Sequence, residues 1–404
     1  MSDFPVRFIG LDIHKEYFVA VGVNAARELV FGPQKVSVYE LDGWIARHLS
    51  AQDRVVLEMT TNTYLFYDSL LPHVHSVIAV HPPHVSLVTN VPIKTDKKAA
   101  LALAQLHAVG LLEGVWIPPD EVRDLRALIA HRQKMVRLAS MAKNRLHALL
   151  HRNHLLLPET GQAFTPAQHE WWQKLSLKPM EKIRVQSDLD LLDFAQKQIE
   201  QLDACINQQA AADERIPLLI QLPGIGPLTA ITILAAIGDI QRFPSARQLV
   251  GYAGLGTRVH ASGQTHVTGR ITKTGRRDLR RAMVNAANHA VMHHPFWKEM
   301  LAKMEPRMGR SKAIVAIARK LLVAVWHVLH DEVADCHADT RDIACSLFRH
   351  AYKVGVRNLP DGQTALGFTR NQLDRLGIGA EMQILPWGRK RFKLPPSKLL
   401  PEKE

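Results

Sequence analysis

A mixed α/β domain of about 115 residues, followed by a predominantly helical remainder, is the architecture this sequence predicts. Three observations carry it. Short β-branched runs interleave with helical ones as far as Pro118-Pro119, whereas from Asp120 onward the apolar residues recur at three- and four-residue steps. The third is size: 404 residues exceed one ordinary core, so two or three domains are expected.

The elements follow in order. Val6 to Val23, VRFIGLDIHKEYFVAVGV, alternates and reads as a strand that breaks near His14–Glu16 and resumes. Asp12 falls where the first of these strands ends. Glu28 to Val38 offers a third strand, and Leu41 to Leu49 a short amphipathic helix. Arg54 to Met59 is a compact apolar strand carrying Glu58 at its end. Tyr64 to Leu71 reads as a helix, Val77 to Val80 as a buried strand, and Ala99 to Val109 as a strongly helical run.

Beyond Asp120, one long helix reaches Asn153, and a second, Ile183 to Gln208, carries Val185, Leu189, Leu192, Ala195, Ile199, Leu202 and Ile206. Their spacing is that of a coiled-coil seam. It suits either an oligomer contact or an intramolecular helical hairpin, because spacing does not say whose seam it is. Two further helices are expected at Met283–Met292 and Ala313–Val328. The signals then weaken, and Trp387 to Lys393 reads as a basic tail with aromatics. The expected division is 1–118 for the α/β domain, 119–210 for a helical spacer, 211–335 for a second functional domain and 336–404 for an extension.

Charge narrows the function. The formal net charge of +13, from 51 Lys+Arg against 38 Asp+Glu, points to a polyanionic partner, nucleic acid ahead of a membrane. Three cysteines without metal-ligand spacing fit a reducing cytoplasm and exclude a disulfide framework. The chain lacks a secretory signal pattern, an uninterrupted apolar span of membrane length and a P-loop.

Two constellations carry chemistry. Asp12, Glu58 and Asp96 each lie at a strand end or helix start near one sheet edge. Carboxylates converging at about 4 Å around hard cations are what metal-assisted phosphoryl transfer needs. In a basic protein with this strand order they favour an RNase H-like nuclease core. Singly, each acid is as well explained as a turn residue or a solvated cap.

The second constellation is Gly251 to Arg281, GYAGLGTRVHASGQTHVTGRITKTGRRDLRR. It carries Ser262 on a loop, then Lys273, Arg276, Arg277, Arg280 and Arg281 on a helix start. That arrangement suits a hydroxyl nucleophile beside cations that hold a phosphate backbone; the plainer reading is a surface loop before a solvated basic helix. Serine hydroxyl needs a base or a metal to attack, and no acid lies on its loop, so activation must come from elsewhere. His260 and His266 flank it. Upstream, Leu222-Pro223-Gly224-Ile225-Gly226 before an apolar helix suits either a phosphate-approaching turn or a tight turn between buried helices.

Taken together, Ile9 to Lys15, Leu57 to Thr60, Lys94-Thr95-Asp96, Leu222 to Gly226, Tyr252 to Leu255, Ala261-Ser262-Gly263, Lys273-Thr274-Gly275 and Leu279 to Ala282 give the chain its resemblance. It resembles the DEDD-type transposases of the insertion-sequence family numbered one hundred and ten, over roughly residues 6 to 330. The resemblance implies a RuvC-like, RNase H-like N-terminal domain, a coiled-coil spacer and a mainly α transposase domain with a serine nucleophile. It implies that Asp12, Glu58 and Asp96 bind Mg²⁺, and that Ser262 forms a covalent phosphoserine link to DNA. It further implies a structured bridge RNA pairing with donor and target DNA, and a homo-oligomer, dimer or tetramer, with composite active sites in a bacterial, nucleoid-associated setting. Lys94, Gly224 and Gly226 are expected with the five downstream cations as nucleic-acid contacts. One position departs: the family pattern has a fourth acid three residues after the third, where this sequence has Ala99. That predicts binding with impaired cleavage. A non-catalytic nucleic-acid-binding relative and a metal-dependent junction resolvase are the alternatives.

Overall fold

The computed structural model describes residues 6–81, 95–158, 161–262, 265–337 and 339–400. The chain divides into two compact units, Met1–Pro119 and Asp120–Glu404.

The first unit is a five-stranded mixed sheet. Strands β1 (Phe8–Ile13), β2 (Tyr17–Val23) and β3 (Leu29–Ser37) form an antiparallel meander. Helix α1 (Leu41–His48) then leads to β4 (Arg54–Glu58), and α2 (Thr63–Leu70) to β5 (Ser76–Val80). The order is β3-β2-β1-β4-β5, with β1, β4 and β5 parallel, an arrangement compatible with an RNase H-like core. Period-two alternation decides which side chain serves which face. Ile9, Leu11 and Ile13 join Phe18, Leu57, Trp44 and Phe66 in a core beneath α1 and α2. The other face carries Phe8, Gly10 and Asp12, and α3 (Asp96–Ala108) covers it through Ala100, Leu103 and Ala104. The start of β1 is tied down by Arg7, which donates to both carboxylate oxygens of the fully buried Asp53 at 2.8 and 2.6 Å.

The second unit is mainly helical. Helix α4 (Asp120–Arg152) is followed by the short α5 (His169–Lys174) and by α6 (Pro179–Ala212). The late part of α4, Leu146 and Leu149, meets Val185 and Leu189 at the start of α6, while Met135, Ala139 and Ala142 meet Leu192, Ala195 and Ile199. The two therefore run antiparallel, further joined by Arg145–Asp188 and Arg132–Asp203 ion pairs. The seam is thus spent on an intramolecular hairpin.

Helices α7 (Arg215–Ile220), α8 (Pro227–Ile237) and α9 (Ala246–Tyr252) precede a hairpin of β6 (Thr257–Ser262) and β7 (Thr265–Ile271). Then come α10 (Arg277–His293), α11 (Pro295–Met308), α12 (Arg310–Asp331), α13 (Thr340–Val354) and α14 (Ala365–Arg375). Helix α12 is long and apolar enough to cross a membrane, but Ile317, Leu321, Leu322 and Val325 on it are fully buried in the unit's core. The expected basic tail instead forms a second two-stranded sheet among the described residues, β8 (Ile384–Trp387) with β9 (Lys390–Lys393). Its Leu385 is buried, and Trp387 and Phe392 pack on Phe348 of α13. Arg370, itself 3% exposed, holds this end by donating to the carbonyls of Pro395, Gly379 and Met382.

Candidate functional site

In the first unit the site begins with a missing side chain. A Cβ at Gly10 would lie 2.1 Å from the Ala100 carbonyl oxygen and 2.7 Å from the Ala104 nitrogen. Glycine there, facing two alanines, lets the α3 backbone rest on β1. The consequence is functional, because it lays the N-terminus of α3 over the C-terminal end of β1. Thr95 caps the helix, its Oγ1 accepting from the Lys98 N–H at 3.4 Å, and Asp96 is the first helical residue. A carboxylate in the first turn is favoured by the helix dipole.

Asp12 and Asp96 are thereby brought to one place, and His14 joins them. Ligand atoms of the three lie within 4.8 Å of one another. His14 Nε2 is 3.4 Å from Asp12 Oδ2 and 3.5 Å from Asp96 Oδ1. The β1–β2 turn is tight, closed by the His14 N–H donating to the Tyr17 carbonyl at 2.9 Å. It stacks the His14 and Tyr17 rings at 4.7 Å, and the Tyr17 hydroxyl donates to Asp96 Oδ2 at 2.9 Å. Tyr17 therefore orients both a carboxylate and the imidazole, and the Lys35 ammonium lies 3.6 Å from the centre of its ring. Burial pushes the Asp12 carboxyl above its usual range; His14 opposes this and the neighbouring Asp96 adds to it. The Tyr17 phenol is raised as well, chiefly by its hydrogen bond to Asp96. A centre that favours added positive charge is what this crowding describes.

The other expected acids divide. Glu58 ends β4 one residue beyond the Leu11–Leu57 register pair, as Asp12 does on β1, so the two share a sheet face. Its carboxylate is nonetheless outside the Asp12–His14–Asp96 group. Ala99 lies in the first turn of α3, half-buried, with its N–H donating to the Thr95 carbonyl at 2.8 Å. Lys94 falls outside the described residues. His14 and Tyr17 were not read from the sequence. The available signal was a histidine directly after the strand-ending Asp12-Ile13.

In the second unit, Ser262 is the last residue of β6, with its backbone registered to Thr265 across the hairpin end. The expected loop is thus a strand end, and the side chains of residues 259–268, His260 and His266 included, are outside the description. The following turn is fastened to the Tyr252–Gly256 segment by backbone bonds: Lys273 N–H to Gly254, Arg276 N–H to Tyr252 and Thr272 N–H to Gly256, at 2.8 to 3.1 Å.

The five cations have different duties. Arg276 makes a two-pronged ion pair with Asp278, and Arg280 donates to the Ala253 carbonyl at 2.9 Å. These two build the turn. Lys273, Arg277 and Arg281 are exposed. Together with Gln133 and Arg137 of α4, residues Arg276, Arg277, Asp278 and Arg281 line a cavity of about 330 Å³. Arg137 adds a cation that sequence inspection missed, since only the fold brings α4 to this place.

Gly224 is explained by packing. Its φ is +81°, and a Cβ there would lie 2.1 Å from the Ala286 carbonyl oxygen of α10. It is the close contact between buried helices that requires glycine. Gly226 caps α8, and both glycines border a cavity of about 690 Å³. That cavity also exposes Asp335, Asp339 and Asp342 beside His289 and Arg349, so its charge is mixed.

Comparison with known proteins agrees with the two halves of this description. Residues 9–154 match the DEDD-type IS110 transposase family, and residues 216–302 match the family described as Transposase IS116/IS110/IS902. The chain is 28% identical to a pilin gene-inverting protein of Moraxella bovis over 338 residues, covering 80% of this chain and 95% of that protein. It is 24% identical to the transposase for insertion sequence element IS1111A of Coxiella burnetii, covering 80% and 90%. It is also 25% identical to a probable family 20 transposase of Pseudomonas aeruginosa, covering 80% and 97%. The chain belongs to the IS110 family of transposases.

Proposed function

We propose that this transposase cleaves and rejoins DNA through a covalent phosphoserine link at Ser262. In this reading a structured bridge RNA guides it to donor and target DNA, and a divalent cation is held by Asp12 and Asp96. The observation that carries the reading is the convergence of Asp12 and Asp96, distant in sequence, with Nε2 of His14 3.4 and 3.5 Å from their carboxylates. The donor set fits a dication, with Mg²⁺ the ion the family resemblance implies. Glu58 belongs to the proposal as a further acid, because it shares the sheet face and the strand end with Asp12. A dication bound there supplies polarisation of a phosphate and offsets charge on the attacking and leaving oxygens.

The chain's own residues do the rest. Ser262 Oγ attacks phosphorus, the phosphorus–sugar oxygen bond breaks as the serine–phosphorus bond forms, and the sugar hydroxyl leaves with the proton. The link conserves the phosphodiester energy, so attack by an incoming sugar hydroxyl reverses it without a nucleotide cofactor. Lys273, Arg277 and Arg281 hold the DNA or RNA backbone without reading sequence; Lys94, Gly226 and the Gly224 turn are proposed as further contacts. Arg276 and Arg280 serve by shaping the turn. The acids and Ser262 lie on separate compact units, which suits a homo-oligomer in which one subunit's centre serves another's serine.

Ala99 favours a second reading, a relative that binds nucleic acid without cutting it. A denaturing gel separates the possibilities. A DNA adduct on the protein that disappears in Ser262→Ala supports recombination, free cut ends without adduct indicate a hydrolytic resolvase, and intact DNA indicates a binder. An adduct persisting in Ser262→Ala removes the serine from its role.

A further inference from the structure

We propose that His14 is a ligand of this centre, supplying through Nε2 the donor that the missing acid at Ala99 does not, and that the centre in consequence prefers Mn²⁺ to Mg²⁺. The inference rests on the metal-centre reading above and names which ion that centre takes.

The geometry comes first. Ligands at adjacent corners of an octahedron, each about 2.1 Å from a common ion, stand roughly 3 Å apart. The distances from His14 Nε2 to Asp12 Oδ2 and Asp96 Oδ1 are 3.4 and 3.5 Å, so a small contraction places all three on one ion. Nε2 is buried at the atom level and makes only the long approaches of 3.4 and 3.5 Å to the two carboxylates, without a hydrogen bond of ordinary geometry. A ring nitrogen held this way between two carboxylates is placed to share an ion with them. The ring is also held for the task. Tyr17 stacks against it and fixes Asp96 through its hydroxyl, and Asn62 Nδ2 donates to the His14 carbonyl at 3.4 Å. Such outer contacts orient ligands and commonly change metal affinity by about 10- to 100-fold.

The chemistry then sets selectivity. Mg²⁺ is a hard ion that favours oxygen donors and keeps much of its water, whereas imidazole nitrogen suits softer dications. An acid at position 99 would offer the centre a further oxygen. Alanine there leaves two aspartates and one imidazole as the converging donors, a set that transition-metal dications accept with less loss than Mg²⁺ does. Mn²⁺ is the member of that series closest to Mg²⁺ in its tolerance of carboxylate and water.

The test uses the tag-free full chain, with Mn²⁺ and Mg²⁺ as the probes. Mn²⁺ binding is followed by electron paramagnetic resonance, Mg²⁺ by competition, and ligation by the nitrogen modulation of the pulsed spectrum. The expected result is Mn²⁺ binding at least about tenfold tighter than Mg²⁺, with imidazole modulation that is absent in His14→Gln. His14→Asp, which returns an oxygen donor, should also lose the modulation and bring the two affinities together. His14 sits on an exposed turn, its side chain 38% accessible, so both variants are expected to fold, and thermal melting checks this. Mn²⁺ bound at a site lost in Asp12→Asn, but with no modulation attributable to His14, would overturn the inference while leaving the metal centre standing. Dication binding indifferent to Asp12→Asn would overturn both.

Discussion

Gly10→Ala tests how the centre is assembled. The variant adds one methyl group, with its carbon 2.1 Å from the Ala100 carbonyl oxygen and 2.7 Å from the Ala104 nitrogen. Both are main-chain atoms of one helix, so no flexible side chain can yield. Ordinary contact begins near 3.4 Å, so α3 must retreat by about 1 Å. The retreat loosens Ala100, Leu103 and Ala104, all at most 1% exposed. Overpacking of a tight core costs ~1–3 kcal/mol, and the rigid backbone partner places this case at roughly 2–3 kcal/mol. The same movement carries Asp96 away from its 2.9 Å bond with Tyr17 and its 3.5 Å approach to His14. Dication affinity should therefore fall by about tenfold or more. Hydrogen exchange read on peptides of β1 and α3 reports the stability of this unit specifically, and a Mn²⁺ titration reports the site. Unchanged exchange together with unchanged affinity would show that α3 does not rest on β1 as described.

Other predictions follow from particular contacts. Ala99→Asp should raise strand-transfer rates in Mg²⁺ by restoring an oxygen donor one turn from Asp96; equal rates for the two proteins would refute that. Arg277→Gln and Arg281→Gln should each reduce the salt dependence of DNA binding by about one counterion without lowering stability. Arg280→Gln, which breaks the bond to the Ala253 carbonyl, should instead lower the melting temperature, and a reversed pattern would reassign these side chains. His350, 1% exposed and held by burial at a pKa of about 4, resists protonation in the folded protein. The unfolded chain takes up that proton near pH 6.5, so the contribution is intact above about 6.5 and is lost as pH falls toward 4, roughly 3 kcal/mol in all. Urea unfolding of His350→Leu across that interval should show a shallower acid decline than the parent; identical slopes would contradict it.

Much of the fold is legible because its signals are local. The alternation of Val6–Val23 and its break at His14–Glu16 appear in the structure where the residues place them, while the helix expected over Ala99–Val109 begins earlier, at Asp96, behind a Thr95 cap. What is not legible depends on partners. The α6 seam is plain in Val185, Leu189 and Leu192, but only α4 folding back shows that it is satisfied within the chain. Charge at Arg276 and Arg280 reads as an anion-binding surface until Asp278 and the Ala253 carbonyl are seen to engage it. The geometry of the acidic group is partly legible: Asp12 and Asp96 converge as expected, Glu58 stands outside the group, and His14 enters only because a tight turn and a stacked Tyr17 aim it there. The C-terminal helices hid differently. Ile343, Leu347, Phe348, Ala351 and Val354 do carry helical spacing, although the signals read as weak beyond about Asp335.

Anomalous scattering from crystals soaked in Mn²⁺ tests the central claim most directly, by locating the ion itself. The account predicts a peak shared by Asp12 and Asp96, roughly 2.2 Å from a carboxylate oxygen of each, that vanishes in Asp12→Asn. A peak confined to other residues, or none at these two aspartates at saturating Mn²⁺, would contradict it.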